Sequence, residues 1–298
     1  EKVRSAAIEA IGKIGTTAAV QPANEALKDS VESVRAKAAQ VLGELRDTAA
    51  VEFLEKASKD QAESVRKLSI KSLALMADAR VPDIIISALT DKTENVRKTS
   101  VEALGERRDR VSLPHLVKSL EDPAESVRAA AAESLAKIGD TSAIMPLLRR
   151  LDDPSPIVPL ACSEAIVSFG ENSYAVLIEA LKDAEERIRR HSCDLLIRIG
   201  KGKLIKILLR LSQDRNNFLR ENIARILGKI GDSSVVETLM TMLIDRSSMV
   251  RKTAAESLGN IKDIRCLVAL KNATRDQSKE VRMAANQALQ EIFKAHKL

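Results

Sequence analysis

The chain has 298 residues, with 48 Lys plus Arg against 42 Asp plus Glu, a formal charge of +6. Trp is absent, Tyr occurs once and Phe four times, so a composition that is 45% hydrophobic rests on Ala, Val, Ile and Leu. That leaves few ring faces for base-stacking platforms, sugar shelves or cofactor sandwiches; with 30% charged residues and no long apolar run, the composition reads as that of a soluble chain.

The first predicted element begins at Glu1-Lys2-Val3-Arg4, and its Val-Arg pair sets a period. Val-Arg returns at 34–35, 65–66, 96–97, 127–128, 250–251 and 281–282, with Ile188-Arg189 and Leu219-Arg220 as near matches. The spacing is 31 residues, apart from one 30-residue step ending at Arg189. Six residues before each later Arg stands an Asp, giving Asp29, Asp60, Asp91, Asp122, Asp183, Asp214, Asp245 and Asp276; Asp153 keeps the column where the Arg is missing. Self-similarity at a fixed short period is the signature of stacked supersecondary units.

Each unit divides into two helices. Asp140 opens a segment with Ile144, Leu147, Leu148 and Leu151 at i, i+3, i+4 and i+7, an amphipathic helix A behind a capping Asp. After the turn, Val127 to Ile138 forms an Ala-rich helix B closed by Gly139; Gly15, Gly170, Gly200 and Gly231 stand at equivalent places, where a left-handed C-terminal cap is expected. Small residues at the third, fourth and sixth positions after the Arg let the B helices approach closely, which places B on the inner side of the stack. No strand pattern occurs. The fold class is therefore all-α, an α-solenoid of about ten stacked helical hairpins, read as one solenoid over 1–298.

Residues 153–183 form an irregular unit: Asp153-Pro-Ser-Pro-Ile-Val-Pro159 puts Pro in the Arg slot, and the sole Tyr follows at 174. Helix B is expected to start late there, near Val158, with Pro159 in its first turn, because a Pro further in would forfeit a hydrogen bond. A change of pitch or a flexing point is expected at this place. At the N-terminal end the chain enters a unit in mid-hairpin, which suggests a fragment with an upstream domain; at the other end Gln287, Gln290, Glu291 and Lys294 bring the polar face of a capping unit.

The segment Asp-Pro-Ala-Glu-Ser-Val-Arg-Ala-Ala-Ala-Ala-Glu-Ser-Leu-Ala-Lys-Ile-Gly-Asp (122–140), repeated along the chain, resembles a HEAT repeat of the short phycobilin-lyase-like type. The resemblance implies a ladder between neighbouring units. Its members here would be Asp29, Asp60, Asp91, Asp122, Asp153, Asp183, Asp214, Asp245 and Asp276 with Arg35, Arg66, Arg97, Arg128, Arg189, Arg220, Arg251 and Arg282. An Asp in a partly buried row can accept backbone N–H groups while pairing with the arginine fork.

If helix B lines the inner side, positions two, five and nine after the Arg should face a partner. The candidates are Lys71, Glu102, Glu133, Glu164, His191, Asp194, Arg198, Asn222, Arg225 and Lys229, acidic in the middle units and basic beyond them. Residues 1–180 sum to −4 and residues 181–298 to +10, and Lys203, Lys206 and Arg210 lie along a helix A near Arg187 and Arg190. The region 187–229 suits an acidic protein segment, with nucleic acid or an anionic surface less favoured for want of aromatics and of any groove-reading motif.

No catalytic, metal or cofactor site is expected. Cys162, Cys193 and Cys266 form neither a disulfide framework nor a zinc knuckle, which points to a reducing, cytoplasmic setting. His191 stands three residues from Asp194 without a nucleophile, and the paired His-Glu dipeptides of helical-repeat hydroxylases are absent. The leading reading is a non-enzymatic protein-binding scaffold. A nucleic-acid-binding solenoid and a bilin-lyase-like or lyase-chaperone protein remain as alternatives, the latter resting on scaffold resemblance alone.

Overall fold

A computed structural model describes residues 1–200 and 202–297. They form α-helices and short 3₁₀ turns, with no strand among the described residues, in two compact units, Glu1–Ala165 and Ile166–Leu298. The division falls inside the irregular unit.

The first unit contains α1 (Lys2–Ile14), α2 (Val20–Ala26), α3 (Glu32–Leu45), α4 (Val51–Ala57), α5 (Glu63–Ala74), α6 (Val81–Ser87), α7 (Glu94–Arg107), α8 (Leu113–Ser119), α9 (Glu125–Ile138) and α10 (Ile144–Leu148). α11 (Ile157–Ser168) carries the division, and Pro159 lies in its first turn. The second unit follows with α12 (Tyr174–Ala180), α13 (Glu186–Ile199), α14 (Gly202–Leu211), α15 (Asn217–Ile230), α16 (Val236–Met242), α17 (Ser248–Ile261), α18 (Leu267–Ala273) and α19 (Lys279–His296). Odd numbers are B helices and even numbers are A helices.

The A helices are short because most begin as a 3₁₀ turn. Asp47, Asp109, Asp140, Asp232 and Asp263 cap these turns, each carboxylate accepting the N–H two residues on. The apolar stripe read from the sequence is the core face, since Ile144, Leu147 and Leu148 are fully buried. An isolated hairpin could not bury that face, so stability comes from the stacked neighbours.

The B helices pack through missing side chains. A Cβ added at Gly43 would stand 2.8 Å from the Cα of Ser72, and one at Gly105 would stand 2.8 Å from the Cα of Ser134. The serines then close the contact: Ser72 Oγ donates to Ala39 O at 2.8 Å and Ser134 Oγ to Val101 O at 3.0 Å. Gly228 and Ser257 repeat the arrangement in the second unit, where Ser257 Oγ donates to Ala224 O at 2.8 Å. Buried Ser69, Ser100 and Ser192 satisfy their hydroxyls on the carbonyl four residues back.

Helix ends depart from the glycine expectation in both directions. Gly15, Gly139 and Gly231 do adopt the left-handed cap, but Arg46, Arg108 and Lys262 do so as well, at φ of 52°, 52° and 59°. Gly200 does not, because its φ is 175°; an added Cβ there would meet the Tyr174 hydroxyl at 2.5 Å, so the ring would have to shift. α5, which lacks a glycine end, is capped from outside: Arg107 Nη1 donates to Met76 O at 2.7 Å and to Ala74 O at 3.3 Å.

Candidate functional site: the arginine ladder and the B-helix face

Each loop Asp performs one local task. The Oδ1 of Asp29, Asp60, Asp91, Asp122, Asp153, Asp183, Asp214, Asp245 and Asp276 accepts the N–H two residues on, at 2.8 to 3.0 Å, and so fixes the entry to the next B helix. The helix-B Arg then binds two loops at once. Arg35, Arg97 and Arg128 each place Nη1 on the backbone carbonyl of the Asp six residues before, at 2.8, 3.0 and 2.9 Å. The remaining fork, Nε and Nη2, engages both carboxylate oxygens of the Asp 25 residues ahead: Asp60, Asp122 and Asp153 respectively. Arg4–Asp29, Arg66–Asp91, Arg220–Asp245 and Arg251–Asp276 make the same fork. Burial acts to raise the carboxyls of Asp60, Asp91, Asp122, Asp153 and Asp245. The arginine forks and backbone N–H groups outweigh it and hold them below the usual range, Asp91 at about 2.

Two consecutive steps lack the fork. Asp183 has Pro159 where an Arg would stand. Arg189 reaches Asp183 O at 2.7 Å but makes no pair with Asp214; its guanidinium lies over the Phe218 ring, 4.2 Å from the centroid. Arg189, a member of the expected ladder column, therefore makes no fork, and Phe218, the aromatic residue unique to its own column, takes the guanidinium instead. Arg282 keeps the backbone half of the pattern, donating to Asp276 O at 2.8 Å and to Gln277 O at 2.9 Å.

A second ladder was not anticipated. Ser33 Oγ donates to Glu1 at 2.8 Å and Asn95 Nδ2 to Glu63 at 2.8 Å, and Ser64 pairs with Glu32 and Ser126 with Glu94 in the same way. Its sequence signal is the Glu-Ser or Glu-Asn dipeptide at 32–33, 63–64, 94–95 and 125–126, just before the Val-Arg pairs of those units. It stops at Ile157, which has no donor to offer Glu125.

The partner-facing columns divide by depth. Position five is open or half-open, with Lys71, Glu133, Glu164 and Asp194 exposed and Glu102 and Arg225 half-buried; at position nine, Arg198 and Lys229 are exposed. Position two turns into the packing seam. His191 is half-buried, and Asn222 is only 2% exposed, bonded through Nδ2 to Phe218 O at 2.8 Å and receiving Cys193 Sγ at 3.3 Å. Asn222 is therefore corrected from a surface candidate to a buried polar tie.

Charges on this face pair off within the second unit. Lys229 Nζ lies 2.9 Å from Asp194 Oδ1, Arg225 pairs with Glu221 at 2.8 Å, and Arg187 with Glu185 at 2.6 Å. Lys203 pairs with Glu171 at 2.6 Å, while exposed Lys206, on helix A, makes no ion pair among the described residues. Lys201, inside the candidate stretch 187–229, lies outside the described residues.

In the first unit the same face opens into a cleft of about 680 Å³ across α7, α9 and α11. Ala129, Ala130, Ala136 and Ala161 form its floor, Lys98, Glu102, Glu133, Lys137 and Glu164 its polar walls, and Ile157 and Leu160 an apolar edge. Lys137 is held by Glu106 at 2.6 Å, and Lys98 stands 3.8 Å from Glu102.

Cys162, Cys193 and Cys266 are free and buried, and burial pushes the Cys162 and Cys193 thiols up to about 12. Among the described residues, no group of His, Cys, Asp and Glu is placed to hold a metal ion, and no helix is long and apolar enough to cross a membrane.

Stacked A–B hairpins tied loop to loop define an all-α solenoid. The sequence matches the family described as HEAT repeats over residues 1–74, 52–136, 113–197, 174–245 and 203–290, and the chain belongs to that family. No curated protein matches the sequence. Among solved structures it is similar to Kap121p bound to Ste12p, at 14% identity and a TM-score of 0.54, covering 93% of this chain and 37% of that one. It is also similar to Kap95p in its complex with RanGDP, at 13% identity and a TM-score of 0.50, covering 92% and 46%. Human deoxyhypusine hydroxylase in complex with glycerol aligns at 23% identity with a TM-score of 0.38, covering 83% and 96%. These identities speak to the fold.

Proposed function

We propose that the chain is a non-enzymatic scaffold that binds another protein along its B-helix face, in a reducing, cytoplasmic setting. The observation that carries this reading is the cleft across α7, α9 and α11, an open surface edged by the exposed apolar side chains of Ile157 and Leu160. Preformed surfaces lose little entropy on binding. The solved relatives Kap121p and Kap95p are named in complexes with other proteins, which supports the same use of the scaffold.

An acidic partner drawn to 187–229 has weaker support. Arg225 and Lys229 are already neutralised by Glu221 and Asp194. The net positive charge of the second unit acts over distance on encounter rather than through a basic groove.

Photo-crosslinking tests the reading. A photoreactive residue at Glu133 or Glu256 on B helices should give adducts with a defined protein, whereas one at Glu52 or Glu237 on A helices should not. Adducts formed equally well from the A positions would contradict it.

A further inference from the structure

The cleft in the first unit differs from the rest of its own face in three ways. Where the second ladder places Ser33, Ser64, Asn95 and Ser126, α11 has Ile157, 44% exposed. One turn on, Leu160 is 63% exposed in a column otherwise occupied in this unit by Ser5, Ala36, Lys67, Lys98 and Ala129. The carboxylate that a serine at 157 would have bound, Glu125, has no hydrogen-bond or ion-pair partner among the described residues, and neither has Glu133 on the same helix.

An exposed apolar pair beside unpaired carboxylates is poorly served by water alone. Leu160 and Ile157 gain by covering, at about 25 cal/mol per Å². A cation brought to Glu133 displaces no bound side chain, and at Glu125 the nearby Arg128 already has its fork on Asp153. The two glutamates are eight residues apart on α9, which is about 12 Å along the axis at the rise of an α-helix. That is the spacing of residues i and i+8 on one face of a second helix. The alanine floor gives such a helix a shallow bed over α9 and α11.

Resting on the protein-binding reading above, we infer that the α7–α9–α11 cleft docks a basic amphipathic helix. Its apolar residues cover Leu160 and Ile157, and Lys or Arg residues two turns apart meet Glu125 and Glu133. An acidic segment or a nucleic acid would bring like charge to those glutamates and is disfavoured here.

The test uses the full chain and fluorescein-labelled helical peptides built from Leu, Ala and Lys, with Lys at i and i+8 around a Leu pair, against the same peptide with Glu for Lys. The Lys peptide binds in anisotropy titrations and the Glu peptide does not. Ile157→Ser, which gives Glu125 a hydrogen-bond donor and removes an anchor, weakens binding about tenfold, as do Leu160→Ser and Glu133→Lys. Lys206→Glu on α14 leaves it unchanged. All four positions are exposed, and circular dichroism checks that the variants remain folded. Equal binding of both peptides, no binding of the Lys peptide, or affinity unchanged by the three cleft substitutions overturns the inference. If B-face crosslinks to a defined protein persist in that case, the scaffold reading stands and only the cleft assignment falls.

Discussion

Arg66 joins two neighbouring repeats through one guanidinium. Its Nε and Nη2 donate to the Asp91 carboxylate at 2.7 and 2.9 Å, while Nη1 donates to the carbonyl of Asp60 at 3.0 Å. Asp60 is itself held by Arg35 at 2.8 Å, so this loop is tied to the preceding repeat by Arg35 and, through Arg66, to the next.

Removing that fork leaves Asp91 partly buried without its cation. Arg66→Ala is expected to lower unfolding stability by about 3 kcal/mol, the range for breaking a buried pair. Arg66→Lys should recover only part of it, since an ammonium cannot fork onto two oxygens and a carbonyl together. Urea denaturation of the three chains measures both effects.

Acid should unfasten the ladder in a defined window. The Asp91 carboxyl is held at about 2 in the folded chain, burial being outweighed by Arg66 and the Thr93 N–H and hydroxyl, and it returns to about 3.9 on unfolding. A depressed carboxyl contributes stability that is complete above the unfolded value and is lost as pH falls through the folded one. Stability should therefore drop between about pH 4 and pH 2, and less steeply in Arg66→Gln. Circular dichroism during acid titration reads the difference.

The glycine–serine seams have little tolerance. Alanine normally favours a helix over glycine by about 1 kcal/mol, yet Gly105→Ala should destabilise by about 1–3 kcal/mol because the new methyl meets the Ser134 backbone. Adding Ser134→Gly removes the side-chain part of that collision and should restore some of the loss. Thermal melts of the single and double variants decide it.

The buried thiols should be silent in the native chain. With Cys162 and Cys193 raised to about 12 and Cys266 to about 11 by burial, thiolate is scarce at pH 8. A disulfide reagent should label none of the three at that pH until denaturant is added, and then all three.

The period, the A–B hairpins and the late start of α11 could be read from the sequence because each rests on spacing and side-chain volume. The Asp and Arg columns were equally visible, but their geometry was not: spacing within a unit suggests the Asp six residues back, whereas the carboxylate used lies 25 residues ahead, and the nearer residue lends its carbonyl. Asn222 was misplaced for a related reason. A column counted on one helix ignores the neighbour, and position two after the Arg turns into the seam between adjacent B helices. Phe218 displaced a rung through a ring stack that no periodic rule anticipates. The cleft was invisible because it arises where two patterns stop together, at Ile157 and Pro159.

The central claim is that the B-helix face is where a protein partner sits, and carboxylate footprinting of the chain with its crosslinked partner, bound without covalent linkage, measures it most directly. Carbodiimide labelling at Glu102 and Glu133 should fall on complex formation while labelling at Glu52 and Glu237 stays constant. Protection confined to the A-helix glutamates would contradict it.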